Sequence, residues 1–273
     1  MVNKQLTIEE LVVQARQIRR LIIQMIAQAG SGHPGGSLSA ADLITALYFN
    51  VLRFNPGDPQ WPDRDRFHMS KGHCCPLWYA VLAQTGYFPK EKLFTLRQFG
   101  SILQGHPDRK TPGVESASGS LGQGLSIALG MSLAAKVDKK DYRVYVLLGD
   151  GEVQEGNVWE AAMACGHFAC SNLCAILDFN GCQIDGRCQD IMGIEPLAAK
   201  WQAFGWHVIE INGHDMRQIL AAYAQAKTIK NKPTMIIART VKGKGVSFME
   251  GVVGFHGRAP TPEEAQRALK ELA

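Results

Sequence analysis

No run of roughly 20 apolar residues, the length that spans a bilayer, occurs in the 273-residue sequence. Its longest apolar stretches, such as Leu121 to Leu133, are broken by Ser, Gly and Gln, so no membrane segment is expected. Blocks of five or more basic residues are also missing. With 29 Lys and Arg against 25 Asp and Glu, a net charge of only +4, nucleic acid is not an expected partner. The start, Met1 to Glu10, is polar and offers neither the apolar core nor the cleavage site of a secretory signal, so the expected location is the cytosol, that is, cytoplasmic. None of the seven cysteines forms a C-x-x-C pair, their number is odd, and most sit in apolar runs; buried, inert thiols are expected. Internal repeats and low-complexity segments are absent as well.

What is present is a soluble globular composition, 46% apolar and 20% charged, of a length that suits one large α/β domain with extensions over residues 1–273. Thr7 and Glu10 make a capping box for a helix whose Leu11, Ala15, Ile18, Ile22 and Met25 recur at helical spacing until Gly30. Ser39 with Asp42 is expected to open a second helix carrying Leu43, Leu47 and Val51, and Arg53 to Arg66 reads as a loop. A long loop follows between Gly100 and Gly119, then a helix from Leu121 to Val137 kept thin by Gly124, Ala128, Gly130, Ser132 and Ala134. From Arg143 strand and helix alternate: β runs at Arg143–Leu148, Leu173–Asp178, His207–Ile211 and Thr234–Arg239, helices at Asn157–Phe168, Pro196–Phe204 and Met216–Lys227. Crossovers of this length demand parallel strands, hence a doubly wound parallel sheet with helices on both faces. Thr261, Pro262 and Glu264 cap a short C-terminal helix.

Ligands of an open parallel sheet bind beyond the carboxyl ends of its strands. There the sequence places Gly149-Asp150-Gly151 and, one crossover later, Asp178-Phe179-Asn180. A carboxylate, an amide oxygen and nearby carbonyls suit a hard cation such as Mg²⁺ or Ca²⁺ bridging a diphosphate. A Gly-Asp-Gly tripeptide alone is a common turn; the Asn thirty residues on is what makes it specific. Together they resemble the thiamine diphosphate motif. Ser31-Gly32-His33-Pro34-Gly35-Gly36, Ser70-Lys71-Gly72-His73, Gly105-His106-Pro107, Gly119-Ser120-Leu121-Gly122-Gln123-Gly124 and His256-Gly257 resemble, in order and spacing, the transketolase N-terminal region over nearly the whole chain. Two departures are Ser120, where many members have Pro, and Phe255, where Trp is frequent.

The resemblance implies a thiamine diphosphate-binding fold in which Asp150, Asn180 and the Cys182 carbonyl hold the metal. It implies that His33, His73, His106 and His256 line the channel over the thiazolium. His73 and His256 would also contact the diphosphate, Asn180 and the Gly151 N–H would face it, and Gly119 and Leu121 would touch the cofactor through backbone atoms. His106 and His33 are then the substrate-side groups, imidazoles able to exchange protons with sugar hydroxyls. His167, His207 and His214 read as structural, and the five-residue spacing of His68 and His73 does not suit zinc on one helical face. Glu155 and Glu160 either complement a helix dipole or, by resemblance, link paired sites across a subunit interface. The apolar surroundings of Trp159 and the thin helix would by resemblance also meet partner surfaces. Lys242 and Lys244 read as a solvated turn as readily as a phosphate contact.

In the resembled family a second α/β domain supplies the glutamate and aromatic pocket for the aminopyrimidine. The sequence stops about where that pyrimidine-binding domain would begin, so the expectation is the N-terminal subunit of a split transketolase, active in two-carbon ketol transfer between sugar phosphates with a separate C-terminal subunit, most simply as an α2β2 assembly. Half of a deoxyxylulose-phosphate synthase-like enzyme and a non-catalytic cofactor-binding remnant are the alternatives. A nicotinamide dehydrogenase is disfavoured, because the glycine order from Gly119 to Gly124 is wrong and no strand precedes it.

Overall fold

Alternate side chains of the central strands enter two different cores, and this period-two pattern builds the fold. A computed structural model describes residues 5–273; the first four residues of the polar Met1 to Glu10 segment lie outside the described residues. The strands are β1 (Arg66–Met69), β2 (Val144–Gly149), β3 (Leu173–Phe179), β4 (Cys182–Gln183), β5 (Gly186–Arg187), β6 (His207–Asn212) and β7 (Thr234–Arg239). The helices are α1 (Ile8–Ala29), α2 (Pro34–Ser39), α3 (Ala41–Ala46), α4 (Cys75–Gln84), α5 (Gln123–Val137), α6 (Gly156–His167), α7 (Cys188–Ile191), α8 (Leu197–Ala203), α9 (Met216–Thr228) and α10 (Pro262–Glu271).

Five strands form a parallel sheet in the order β1-β2-β3-β7-β6, while β4 and β5 make a small antiparallel hairpin. Tyr145, Leu147, Cys174, Ile176 and Ile236 point into a core shared with α1, α3, α4 and α9. Val146, Leu148, Ala175, Leu177 and Ile237 point into the other, shared with α5, α6 and α8. Helices therefore cover both faces, as expected. Gly149 pairs with Asp178, so the two chain segments that follow, with Asp150 and Asn180, emerge at one edge.

The capped helices form as read. Thr7 and Glu10 exchange both bonds of the capping box and Gly30 ends α1 at φ +61°; Thr261 and Glu264 make the same box for α10. Leu11, Ala15, Ile18, Ile22 and Met25 are all buried, and each large member contributes about 2 kcal/mol of burial.

Other expectations are corrected. Ser39 does not open a helix but ends α2, which starts at Pro34, a residue suited to the first helical position. Its hydroxyl instead donates to Asp178 at 2.6 Å. The expected loop from Arg53 ends earlier, because Arg66 begins β1. Helix α4 gave no periodic signal because nine of its ten residues are buried, leaving no polar face. The Leu121 helix starts at Gln123, after Gly122 at φ +85°. Residues 100–119 carry no helix or strand, as expected. All seven cysteines are buried and free, and among the described residues no helix is long and apolar enough to cross a membrane.

Candidate functional site

The carboxyl ends of β1, β2, β3 and β7 deliver Lys71, Asp150, Asn180 and Lys242 to one cavity of about 280 Å³. Gly151, Leu121, Cys182, His73 and His256 share its wall. Beneath it lies Asp178, fully buried and bonded to Lys71 Nζ at 2.5 Å, with Ser39 and Thr240 hydroxyls and Asn180 Nδ2 (3.1 Å) also donating to it. Burial works against the Asp178 charge, but Lys71 outweighs it and holds the carboxyl below its ordinary value. Lys71 is in turn raised by Asp178 against the same burial. This pair fixes the ends of β1 and β3 relative to each other. Glu152, also buried, does so for β1, β2 and α5: it accepts from Ser70, from Gly122 N–H at 3.0 Å and from Gly149 N–H at 3.0 Å.

Asp150 accepts from the N–H groups of Gly151 (2.9 Å) and Gly181 (2.5 Å). Burial, reinforced by Asp178, pushes its carboxyl up to about 6. A buried carboxylate in that state is short of positive charge. Asn180 Oδ1 accepts from Cys182 N–H at 3.2 Å, and the Cys182 carbonyl accepts from Lys242 Nζ at 3.3 Å. No cluster of three His, Cys, Asp or Glu side chains able to hold a metal occurs among the described residues. The donors gathered here are instead one carboxylate, one amide oxygen and one main-chain carbonyl, all oxygen, which fits Mg²⁺ or Ca²⁺.

Four imidazoles stand beside this cavity. His73 and His256 line it and stack with centroids 5.1 Å apart; His33 lies 5.2 Å from His73, 5.7 Å from His256 and 6.3 Å from His106. Burial lowers all four: His33 to about 4, with help from Arg97; His256 to about 3, with help from Lys242; His73 and His106 also downward. They are neutral at physiological pH, each with one N–H donor and one acceptor. Lys242 Nζ donates to His256 Nδ1 at 3.0 Å, which leaves the His256 proton on Nε2. His33 Nδ1 is buried and has no hydrogen-bond partner among the described residues.

The structure thus brings together His33, His73, His106, His256, Leu121, Asp150, Gly151, Asn180 and Cys182. Gly119 falls outside this cavity, against the His106 ring, where an added Cβ would sit 3.5 Å from the imidazole. Glu155 and Glu160 are exposed at the start of α6. Trp159 is not a bare surface: it packs on Trp201 and Phe204 of this chain, centroids 5.1 and 5.9 Å away. The solvated-turn reading fails for Lys242, which is 2% exposed. Gly243, at φ +77° and 2.9 Å from the Gly35 carbonyl, turns the chain so that Lys242 enters the cavity. Sequence reasoning missed Lys71, Asp178 and Glu152 as well. The signal that could have found them is charge at the carboxyl end of an apolar strand run, where solvation alone does not explain it.

Residues 9–272 match the family described as transketolase, thiamine diphosphate binding domain. The chain belongs to this transketolase N-terminal family. It is 44% identical over 266 residues to one of the subunits of the apulose-4-phosphate transketolase of Phocaeicola vulgatus, covering 97% of this chain and 95% of that one. It is 47% identical over 260 residues to the 6-deoxy-6-sulfo-D-fructose transketolase subunit SqwG of Clostridium sp. strain MSTE9, covering 95% and 94%. Against the transketolase of Rattus norvegicus, identity is 40% over 259 residues, covering 94% of this chain but 41% of the longer one. The crystal structure of Campylobacter jejuni transketolase superimposes with a TM-score of 0.94 at 37% identity, over 98% of this chain and 43% of that one. This transketolase N-terminal chain therefore has subunit-length relatives and also spans under half of the full-length members.

Proposed function

We propose that this chain is the diphosphate-binding subunit of a two-chain transketolase, moving a two-carbon ketol unit from a ketose phosphate to an aldose phosphate together with a separate C-terminal subunit. The observation that carries the reading is the convergence of Asp150, the Asn180 amide oxygen and the Cys182 carbonyl on a cavity shared with Lys242, beside four neutral imidazoles.

Asp150, Asn180 Oδ1 and the Cys182 carbonyl would hold a divalent cation, Mg²⁺ or Ca²⁺. The Gly151 N–H, Lys242 and the His73 and His256 rings would face the diphosphate. Thiamine diphosphate, when bound, supplies a carbon nucleophile that cleaves the bond beside a ketose carbonyl. His33, 5.2 Å from His73, and His106, 6.3 Å from His33, are not among the residues lining the cavity, and as neutral imidazoles they would bind sugar hydroxyls and relay their protons. Leu121 and the Gly119 segment would close the cofactor side.

Subunit-length relatives named as transketolase subunits support a partner chain, and an α2β2 assembly is its simplest symmetric form. The sugars in their names differ, so the reading is a reaction class; branched and sulfonated ketoses belong in the substrate panel with ordinary ketose phosphates, and pyruvate serves as the test of the deoxyxylulose-phosphate synthase-like alternative. The chain reconstituted with its C-terminal partner is expected to transfer the two-carbon unit, and neither chain alone to do so. His106→Ala is expected to lower kcat/KM by at least about tenfold with cofactor affinity kept, whereas His73→Ala weakens the cofactor. Turnover by this chain free of any second subunit, or equal cofactor loss in both variants, would overturn the assignment.

A further inference from the structure

Arg97 holds a backbone conformation that glycine takes without penalty, and it does so beside the two chain segments that carry His33 and His106. Its φ is +61°. The Arg97 N–H donates to the Leu103 carbonyl at 2.8 Å, which folds the chain back so that Gly105 and His106 return to the Arg97 side chain. A Cβ built on Gly105 would lie 2.8 Å from the guanidinium carbon and 2.9 and 3.0 Å from Nη2 and Nε, so the guanidinium lies against backbone that only glycine leaves open. From there Nη1 donates to Ser31 Oγ at 3.1 Å, two residues before His33. One half-buried side chain thereby joins the segment of His106 to the segment of His33.

Each segment is also pinned to a helix of its own. The Tyr79 hydroxyl of α4 sits 3.0 Å from the Gln104 carbonyl and 3.2 Å from that of His106, Cys75 Sγ lies 3.2 Å from the Gly105 carbonyl, and Ser37 Oγ of α2 donates to the His33 carbonyl at 2.7 Å. Arg97 is the strut between them. No carboxylate pairs with it among the described residues, so its charge faces the imidazoles unneutralised. After burial, Arg97 is the next cause that holds both His33 and His106 below the ordinary imidazole range. Lys242 and the His73, His106 and His256 rings complete the surroundings of His33, while His106 is faced by Arg97, His33 and the Gly119 backbone. A side chain in a left-handed backbone persists where its surroundings over-determine it, and such residues gather at binding sites.

We propose that Arg97 is a positioning residue for the sugar substrate: its guanidinium ties the Ser31–His33 segment to the Gly105–His106 segment, fixes the span between the two substrate-side imidazoles, and faces them with an unpaired positive charge. This rests on the reading of His33 and His106 as sugar-binding groups. The planar guanidinium suits the task, since it covers Gly105 with one face while an edge N–H reaches Ser31. Loss of the strut lets the two rings drift apart, which weakens sugar binding; loss of the charge lets them take up a proton at higher pH.

The test compares wild type, Arg97→Gly and Arg97→Lys, first in the assembled two-chain enzyme, with xylulose 5-phosphate or the branched or sulfonated ketose that wild type prefers as donor. Arg97→Gly keeps the left-handed backbone, so it is expected to leave the urea midpoint unlowered and thiamine diphosphate affinity within about twofold, yet to reduce kcat/KM at least about tenfold. The His106 imidazole is then titrated by NMR in the full-length chain, its signal assigned by its loss in His106→Gln. Its midpoint is expected to rise in Arg97→Gly, where a nearby cation is gone, and to stay at the wild-type value in Arg97→Lys, which keeps the charge but not the planar fork. Wild-type kcat/KM in Arg97→Gly overturns the proposal, and so does a loss matched by an equal loss of cofactor affinity or by a lowered urea midpoint. An unmoved His106 midpoint in Arg97→Gly overturns it as well. A wild-type assembly that transfers from no sugar overturns the proposed function instead, and the His106 titration, which needs neither partner nor substrate, then decides the role of the charge by itself.

Discussion

Replacing Asp42 with Asn should cost the fold about 3 kcal/mol, because this carboxylate is the centre of a buried charge network that also sets the position of Lys242. Arg19, in α1, donates to both Asp42 oxygens at 2.9 and 2.7 Å, and His214 Nδ1 meets the same carboxylate at 2.8 Å. His214 Nε2 accepts the Val241 N–H at 2.9 Å, so the ring proton is on Nδ1 and points at Asp42. One carboxylate thereby ties α1 and α3 to the residue preceding Lys242. Burial opposes its charge, but Arg19, with His214, outweighs it and lowers the carboxyl from 3.8 to about 2. That depression corresponds to about 2 kcal/mol of stability, present above about pH 4 and lost as the pH falls through about 2. In Asp42→Asn the Arg19 guanidinium stays buried against a neutral amide, at the lower end of the roughly 3 to 5 kcal/mol cost of breaking a buried pair, since one N–H can still bond the amide oxygen. Urea unfolding followed by tryptophan fluorescence, at matched protein concentration, measures it. The difference between wild type and variant should be about 3 kcal/mol at pH 7 and shrink as the pH drops from about 4 towards 2. A loss under about 1 kcal/mol at pH 7, or a difference that stays constant down to pH 2, would refute the network as drawn.

Lys71→Met should be more damaging, about 3 to 5 kcal/mol, because it strands the fully buried Asp178; urea unfolding at neutral pH checks it. Gly124→Ala places a Cβ 2.2 Å from Ser70 Oγ and 2.7 Å from its Cα, so α5 must move off the end of β1 at a cost of about 1 to 3 kcal/mol, visible as a lowered Tm. Ala169→Gly should act in the opposite direction, adding about 1 kcal/mol by removing a side chain from a left-handed position, again read as a shift in urea midpoint.

The legible parts of this molecule are those where one local rule decides. Thr7 and Thr261 carry whole capping boxes, so both helix starts follow from four residues each. Strands β2, β3 and β7 are apolar runs between helices, and a parallel sheet forces their carboxyl ends, hence Asp150 and Asn180, to one edge. Other parts depend on distant residues. Strand β1 is four residues long and begins with Arg66; it is a strand because β2 pairs with it. Ser39 matches a helix cap in sequence, yet its hydroxyl bonds Asp178 across 139 positions of chain. Lys242 lies in a glycine-rich turn that reads as solvated until the turn is closed by the Gly35 carbonyl and the lysine is buried beside Cys182 and His256. The four-histidine cluster was expected from the resemblance, but that all four rings are neutral depends on burial beside Arg97, Lys71 and Lys242, which no local pattern encodes.

Everything proposed for the site depends on Asp150, Asn180 and the Cys182 carbonyl holding a divalent cation on the cofactor's diphosphate. Isothermal titration of thiamine diphosphate into the assembled protein, with and without Mg²⁺, tests this most directly when wild type is compared with Asp150→Ala. Wild type should bind in a metal-dependent manner, and the variant should lose at least about 100-fold in affinity, about 2.7 kcal/mol, while its circular dichroism is unchanged. Equal, metal-dependent affinity in a folded Asp150→Ala variant would contradict the metal assignment and the function built on it.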